Sequence, residues 1–171
     1  NDYNENKKYQ YLLDMLNNNK NIAIVADAGT PCISDPGYRI VNAANILGLN
    51  VITIPGPSSA IAALSISGLP SDAFYFEGFL PKKKGRTKRL NYLKELDCTL
   101  IIFESPKRLL KTLNDIFLIL GNRVVSICKE LTKLHENVTF GYLANIIKDI
   151  NTPIRGEYVI LIAKEKYNID E

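Results

Sequence analysis

Short unbroken apolar runs that end abruptly in clusters of glycine and proline constrain this chain more than any other feature. Residues 22–25 read IAIV and residues 51–54 read VITI. Runs of this length without polar alternation suit parallel strands covered on both faces. Between them, Ile40, Val41, Ala44 and Leu47 recur at helical spacing, with Ser34 or Asp35 placed to cap the helix and Gly48 to stop it. Ahead of the first run, Tyr9, Leu12, Leu13 and Leu16 mark another amphipathic helix that ends at Asn17, Asn18 and Asn19.

The alternation continues along the chain. "PGPSSAIAALSISGLP" gives a turn at residues 55–57, a helix opened by Ser58 or Ser59, and an exit at residues 68–70 where a domain boundary is expected. "AFYFEGF" alternates like a sheet strand. Further strands are expected at residues 99–103 and 124–128, a last helix at 142–150 and a final strand in "GEYVILIA". Strands interleaved with helices define an α/β protein. Ligands of open α/β sheets bind beyond the carboxyl ends of the strands. The loops that begin at Asp27, Pro55, Glu104 and Lys129 all leave such ends, so a single site built from four loops is expected.

With 171 residues, 46% of them hydrophobic, the chain can bury a sizeable core as one domain or two small ones. No apolar run approaches the roughly 20 residues that cross a bilayer, and Asn1 opens no signal pattern, so a cytoplasmic protein is expected. Cys32, Cys98 and Cys128 are scattered and odd in number, which offers neither a disulfide framework nor a zinc spacing. His135 is the only histidine, so a histidine-based metal site or a Ser/His/Asp triad would rest on it alone. No metal is expected.

Two loops invite a ligand without demanding one. In "DAGTP" the glycine lets a backbone approach a ligand closely, yet the same residues make an ordinary strand-to-helix turn. In "PGPSS" the serines can serve a ligand or simply cap a helix. Neither loop is followed by Gly-Lys-Ser/Thr, and no G-x-G-x-x-G is present, which argues against a nucleoside triphosphate. Charge is more telling in its distribution than in its total of +3: Lys82, Lys83, Lys84, Arg86, Lys88 and Arg89 crowd into one segment. Such a cluster is either a solvated charge run or a footprint for RNA phosphates.

Taken together, "VADAGTPCISDPG", "IPGPSSAIAALSISGLP", "FEGFLPKKKGR", "IFESPKRL" and "KELTKLHE" occur in an order that resembles the ribosomal RNA small subunit methyltransferase I family, within the tetrapyrrole-methylase superfamily. The resemblance runs from about residue 22 to residue 163. It implies two α/β domains, here residues 1–69 and 70–171, with S-adenosylmethionine folded in the cleft between them. It also implies transfer of a methyl group to the ribose 2'-hydroxyl of a cytidine in 16S ribosomal RNA.

Carried over residue by residue, the cofactor site comprises Ala28, Gly29, Thr30 and Ile33, with Ser58 and Ser59 in the second loop and Glu104 and Leu131 from the other domain. Glu130 and Lys133 become the groups that act on the acceptor hydroxyl, while His135 and Glu136 stand beside them. The six cations of residues 82–89 become RNA-binding residues. The partners implied are small-subunit RNA or the 30S subunit, and a second copy of the chain. Two familiar segments, a "TPIGN"-like loop and an "EDTR"-like stretch, have no counterpart here, so an amino-terminal truncation and an incomplete cofactor pocket are expected. Two other readings stand beside this one: a tetrapyrrole methyltransferase, which the basic segment argues against, and an inactive remnant that only binds or dimerises.

Overall fold

The computed structural model describes residues 2–150 and 153–169, with side chains from residue 8 onward. The chain divides into two compact units, Asn1–Ser58 and Ser59–Glu171.

In the first unit, α1 (Asp2–Asn17) packs on α2 (Tyr38–Ile46). The helix boundaries follow the sequence pattern: α1 stops at the asparagine run, and Gly48 follows the end of α2, where the Leu49 amide closes on the Ala44 carbonyl at 2.9 Å. Ile40, Ala43 and Ala44 supply the buried stripe of α2, whereas Leu47 is exposed. Neither Ser34 nor Asp35 caps this helix. Its N-cap is Gly37, without a side-chain hydrogen bond.

The two strands expected at residues 22–25 and 51–54 do not form. Both segments lack a ladder partner among the described residues, and all of their residues except half-buried Ile22 are exposed, Val25 to 86% and Ile54 to 81%. An apolar run records where burial would be favourable. A strand exists only when its N–H and C=O groups find a neighbour.

The second unit is built on a five-stranded sheet. Its strands are β1 (Phe74–Phe79), β2 (Thr99–Glu104), β3 (Val124–Lys129), β4 (Asn137–Tyr142) and β5 (Tyr158–Ile162), in the spatial order β1-β2-β5-β3-β4. β1 and β2 are parallel; the other three pairings are antiparallel. The helices are α3 (Ser59–Ile66), α4 (Arg86–Lys94), α5 (Leu109–Leu120) and α6 (Leu143–Asp149).

Central β5 is buried throughout, and its residues alternate between two cores as a strand must. Ile160 and Ile162 join Leu93, Leu113, Ile116 and Leu143 under α4, α5 and α6. Val159 and Leu161 face Ala60, Ala63 and Leu64 of α3. The small residues of α3 sit in that second core, and the compact units therefore divide at Ser58, ahead of the residue 68–70 exit.

One feature of the topology positions the site. β2 and β3 both run antiparallel to β5, so they point the same way, and Glu104 and Lys129 are both paired with Tyr158. The loops that follow β2 and β3 consequently leave one edge of the sheet, whereas the other two loops expected at strand ends, those beginning at Asp27 and Pro55, follow segments that form no strand.

Candidate functional site

In the first unit, "DAGTP" and "PGPSS" lie against each other. The Thr30 hydroxyl donates to the Pro57 carbonyl at 2.9 Å. Gly29 has φ +73, in the left-handed region that glycine occupies without strain. Ala28, Gly29 and Ile33 are exposed and Thr30 is half-buried, so this surface is made largely of backbone and small side chains. Ser58 is half-buried. Ser59 is exposed at the start of α3 in the second unit, and neither serine hydroxyl has a hydrogen-bond partner among the described residues.

Glu104, at the end of β2, has a completely enclosed side chain. One carboxylate oxygen accepts the Ser105 amide at 2.7 Å; the other accepts the Thr112 hydroxyl at 2.6 Å and faces Arg108 at 3.2 Å. Thr112 in turn accepts from Arg86 at 2.8 Å, whose Nε meets Asp115 at 2.7 Å. Burial alone would raise the Asp115 pKa, but hydrogen bonds from Arg86 and Lys111 outweigh it and hold the carboxyl below its ordinary range. Arg86 also donates to the Pro81 carbonyl, and Arg108 donates to that of Leu80. Glu104 thus anchors a network that ties the loop after β1 to α5.

The loop after β3 holds the second group. Glu130 and Thr132 have φ +49 and +64, a conformation that costs roughly 1–2 kcal/mol for a non-glycine residue. Glu130 is fixed by the turn that precedes β5: its amide donates to the Glu157 carbonyl at 2.9 Å, and its Oε1 accepts the Glu157 amide at 2.8 Å. Lys133 Nζ lies 3.2 Å from Glu130 Oε1 and 2.7 Å from Glu157 Oε2.

Protonation states follow from these contacts. The hydrogen bond from the Glu157 backbone, then that from Lys133, lowers the Glu130 pKa. The hydrogen bond to Glu157, then that to Glu130, raises the Lys133 pKa. At neutral pH this is a carboxylate beside an ammonium. It can hold a hydroxyl, whereas a lysine of raised pKa is a poor proton acceptor.

Leu131 is half-buried against the α3-side core. His135 is exposed, and the Glu136 carboxylate accepts the Thr132 amide within the same loop.

Gly156 and Glu157 were not expected from the sequence. A Cβ at Gly156, whose φ is +95, would fall 2.6 Å from Glu130 Cγ, so this position admits the Glu130 side chain only as glycine. The available signal was the "GE" step immediately before the last strand.

The six cations of residues 82–89 separate into two kinds. Lys82, Lys83, Lys84 and Lys88 are exposed and lack hydrogen-bond or ion-pair partners among the described residues. Arg86 is only 6% exposed and belongs to the Glu104 network. Arg89 makes hydrogen bonds of 2.6–2.8 Å to both oxygens of Glu77.

A family model, Tetrapyrrole (Corrin/Porphyrin) Methylases, matches residues 1–147. The ribosomal RNA small subunit methyltransferase I of Thermotoga maritima is 42% identical over 167 residues, a match that covers 96% of this chain and 75% of that protein. Further relatives of the same name are 44–46% identical, and the chain spans 56–59% of their length.

Among solved structures, the methyltransferase CobJ superposes with a TM-score of 0.65 at 16% identity, over 91% of this chain and 70% of CobJ. Uroporphyrin-III C-methyl transferase from Thermus thermophilus, complexed with S-adenyl homocysteine, gives 0.52 at 18% identity, over 78% of this chain and 62% of that one. At such identities the two structures establish a shared fold. The family match and the relatives that exceed 40% identity along nearly all of its length lead to one conclusion: the chain belongs to the ribosomal RNA small subunit methyltransferase I family of the tetrapyrrole methylases.

Proposed function

We propose that this chain serves S-adenosylmethionine-dependent methylation of a cytidine ribose 2'-hydroxyl in small-subunit (16S) ribosomal RNA. The observation that carries the reading is the Glu130–Lys133–Glu157 arrangement beyond β3, in a chain whose relatives are named as ribosomal RNA methyltransferases. S-Adenosylmethionine, when bound, supplies a methyl group on a sulfonium, from which a neutral thioether departs without protonation.

The residues of the two cofactor loops suit such a group. Ala28 and Gly29 leave backbone accessible, the Thr30–Pro57 hydrogen bond fixes the loops, Ile33 offers an exposed apolar surface, and Ser58 and Ser59 keep their hydroxyls available. Glu104 has no free carboxylate oxygen to offer, so its role is to order the loop after β2, while Leu131 seats the loop after β3 on the core.

In-line transfer is chiefly a matter of positioning. Lys133, held as an ammonium, orients the acceptor oxygen, and Glu130 accepts the hydrogen bond of the hydroxyl and then its proton, which it passes to solvent, as the oxygen takes the methyl group. Lys82, Lys83, Lys84 and Lys88 meet RNA phosphates; Arg86 and Arg89 hold the elements that present them.

The 30S subunit or its RNA is the proposed partner, a homodimer the proposed assembly, and the cytoplasm the proposed location. No helix among the described residues is long and apolar enough to cross a membrane. We retain residues 69/70 as the boundary between the two family domains.

The reading is tested by offering labelled S-adenosylmethionine together with small-subunit ribosomal RNA and with uroporphyrinogen as competing acceptors. Label in the RNA supports it. Label in the tetrapyrrole replaces it with the other chemistry of the superfamily.

A further inference from the structure

Helix α4 carries a half-exposed aromatic ring, Tyr92, beside its exposed Lys88. Tyr92 is 47% exposed and lies one helical turn beyond exposed Lys88 on the same side of the helix. Its ring is nonetheless held. The Arg89 guanidinium sits 4.9 Å from the Tyr92 centroid and 5.6 Å from that of Tyr75, and the two rings meet edge-on at 6.1 Å.

Arg89 is itself fixed by both oxygens of Glu77 and by the Tyr75 hydroxyl at 2.6 Å. The hydrogen bonds to Glu77 raise its pKa further, so the guanidinium remains charged at any working pH. Two neighbouring carboxylates are already paired with other cations, while Glu95, three residues beyond Tyr92 at the end of α4, is exposed. Glu77 is spent on Arg89, and Asp115 on Arg86 and Lys111.

A buttressed aromatic face one turn from an exposed lysine, on a helix that three further exposed lysines precede, is a combination that suits single-stranded nucleic acid, with stacking for the bases and lysines for the backbone. We propose that Tyr92 is a stacking platform for an unpaired nucleobase, with Lys88, Lys82, Lys83 and Lys84 on the flanking phosphates. The proposal rests on the RNA reading above and adds to it the strandedness of the substrate: the acceptor region is engaged as a single strand.

The test compares the wild-type chain with Tyr92→Ala and Tyr92→Phe, using one RNA oligonucleotide unpaired and annealed to its complement, at several salt concentrations. Tyr92→Ala is expected to lose about tenfold in affinity for the unpaired RNA at every salt concentration, because stacking releases few counterions. Duplex affinity should be unchanged, and Tyr92→Phe should bind as the wild type does.

A second variant reports directly. The chain has no tryptophan, so Tyr92→Trp places a single indole on the platform, and unpaired RNA should quench its emission where duplex does not. Full affinity of Tyr92→Ala for unpaired RNA, an equal loss for duplex, or an indole blind to unpaired RNA would each overturn the platform. A wild-type chain that binds no RNA would instead overturn the RNA reading on which it rests.

Discussion

Glu130 and Glu157 are joined by two hydrogen bonds of opposite sense: the Glu130 amide donates to the Glu157 carbonyl at 2.9 Å, and the Glu157 amide donates to the Glu130 carboxylate at 2.8 Å. The clamp fixes where Glu130 presents its remaining lone pairs, and the Glu157 side chain draws Lys133 to the same place. Glu130→Gln and Lys133→Met are therefore expected to leave S-adenosylmethionine affinity intact and to slow methyl transfer roughly 10²-fold at saturating RNA. Single-turnover methylation measures this. Wild-type rates for both variants would remove the loop from the chemistry.

Acid should loosen the same clamp. Glu130 has a folded pKa below its ordinary 4.5, so the carboxylate form stabilises the loop above that value and the contribution is lost as pH falls through the depressed pKa. Lys133 has the opposite sign: its contribution is present below the ordinary 10.5 and disappears only as pH rises through a still higher value. Amide hydrogen exchange at Glu157 is expected to stay slow at pH 5 and to accelerate well below pH 4.5, beyond the intrinsic trend. Protection that ignores pH in this range would mean that the carboxylate does not hold the turn.

Gly29 is a backbone position first. At φ +73 a β-branched residue is strained whatever the surrounding space, and its side chain would also stand where a ligand meets the loop. Gly29→Val is expected to weaken S-adenosylmethionine binding at least about tenfold by isothermal titration in a protein that remains folded. An unchanged affinity would exclude the loop from the cofactor site.

The cations of residues 82–89 should respond in two ways to neutralisation. Replacing Lys82, Lys83 and Lys84 with alanine is expected to lower the slope of log affinity against log salt by roughly two to three, with unfolding unchanged. Arg86→Met breaks a pair whose arginine is buried and whose aspartate is partly exposed. A loss of about 2–3 kcal/mol in stability is expected, with the salt slope preserved. Denaturant unfolding and RNA titrations on the same samples separate the two outcomes, and parallel salt slopes for the lysine variant would leave those residues as a solvated run.

These differences show what the sequence can and cannot carry. β2, β3 and β5 were legible because their apolar residues are buried by a finished sheet, so pattern and environment agree, and β1 was legible from its alternation although Phe74 and Phe79 remain exposed. Residues 22–25 have an equally good strand pattern and form none, because pairing is a property of two segments and the pattern describes only one. β4 escaped notice for a related reason: it lies at the edge of the sheet, mostly exposed and interrupted by Gly141.

In the site, Glu130, Lys133, His135 and Glu136 stood out as charged or titratable residues beyond a strand, but Glu157, the partner of Glu130 and Lys133, lies 27 residues from Glu130. Nothing local joins the two. Arg86 and Lys84 look alike as letters in a basic run. Only the position of α5, with Thr112 and Asp115, makes one structural and leaves the other free.

The central claim is that these residues serve methyl transfer to a ribose hydroxyl of small-subunit ribosomal RNA. The most direct test supplies the chain, joined to the portion of the Thermotoga maritima relative that lies outside their match, with labelled S-adenosylmethionine and that RNA. Digestion of the product to nucleosides then locates the label. The account predicts label in 2'-O-methylcytidine, abolished or slowed by Glu130→Gln. Label on a base, or none at all under conditions in which the Thermotoga maritima relative modifies the same RNA, would contradict it.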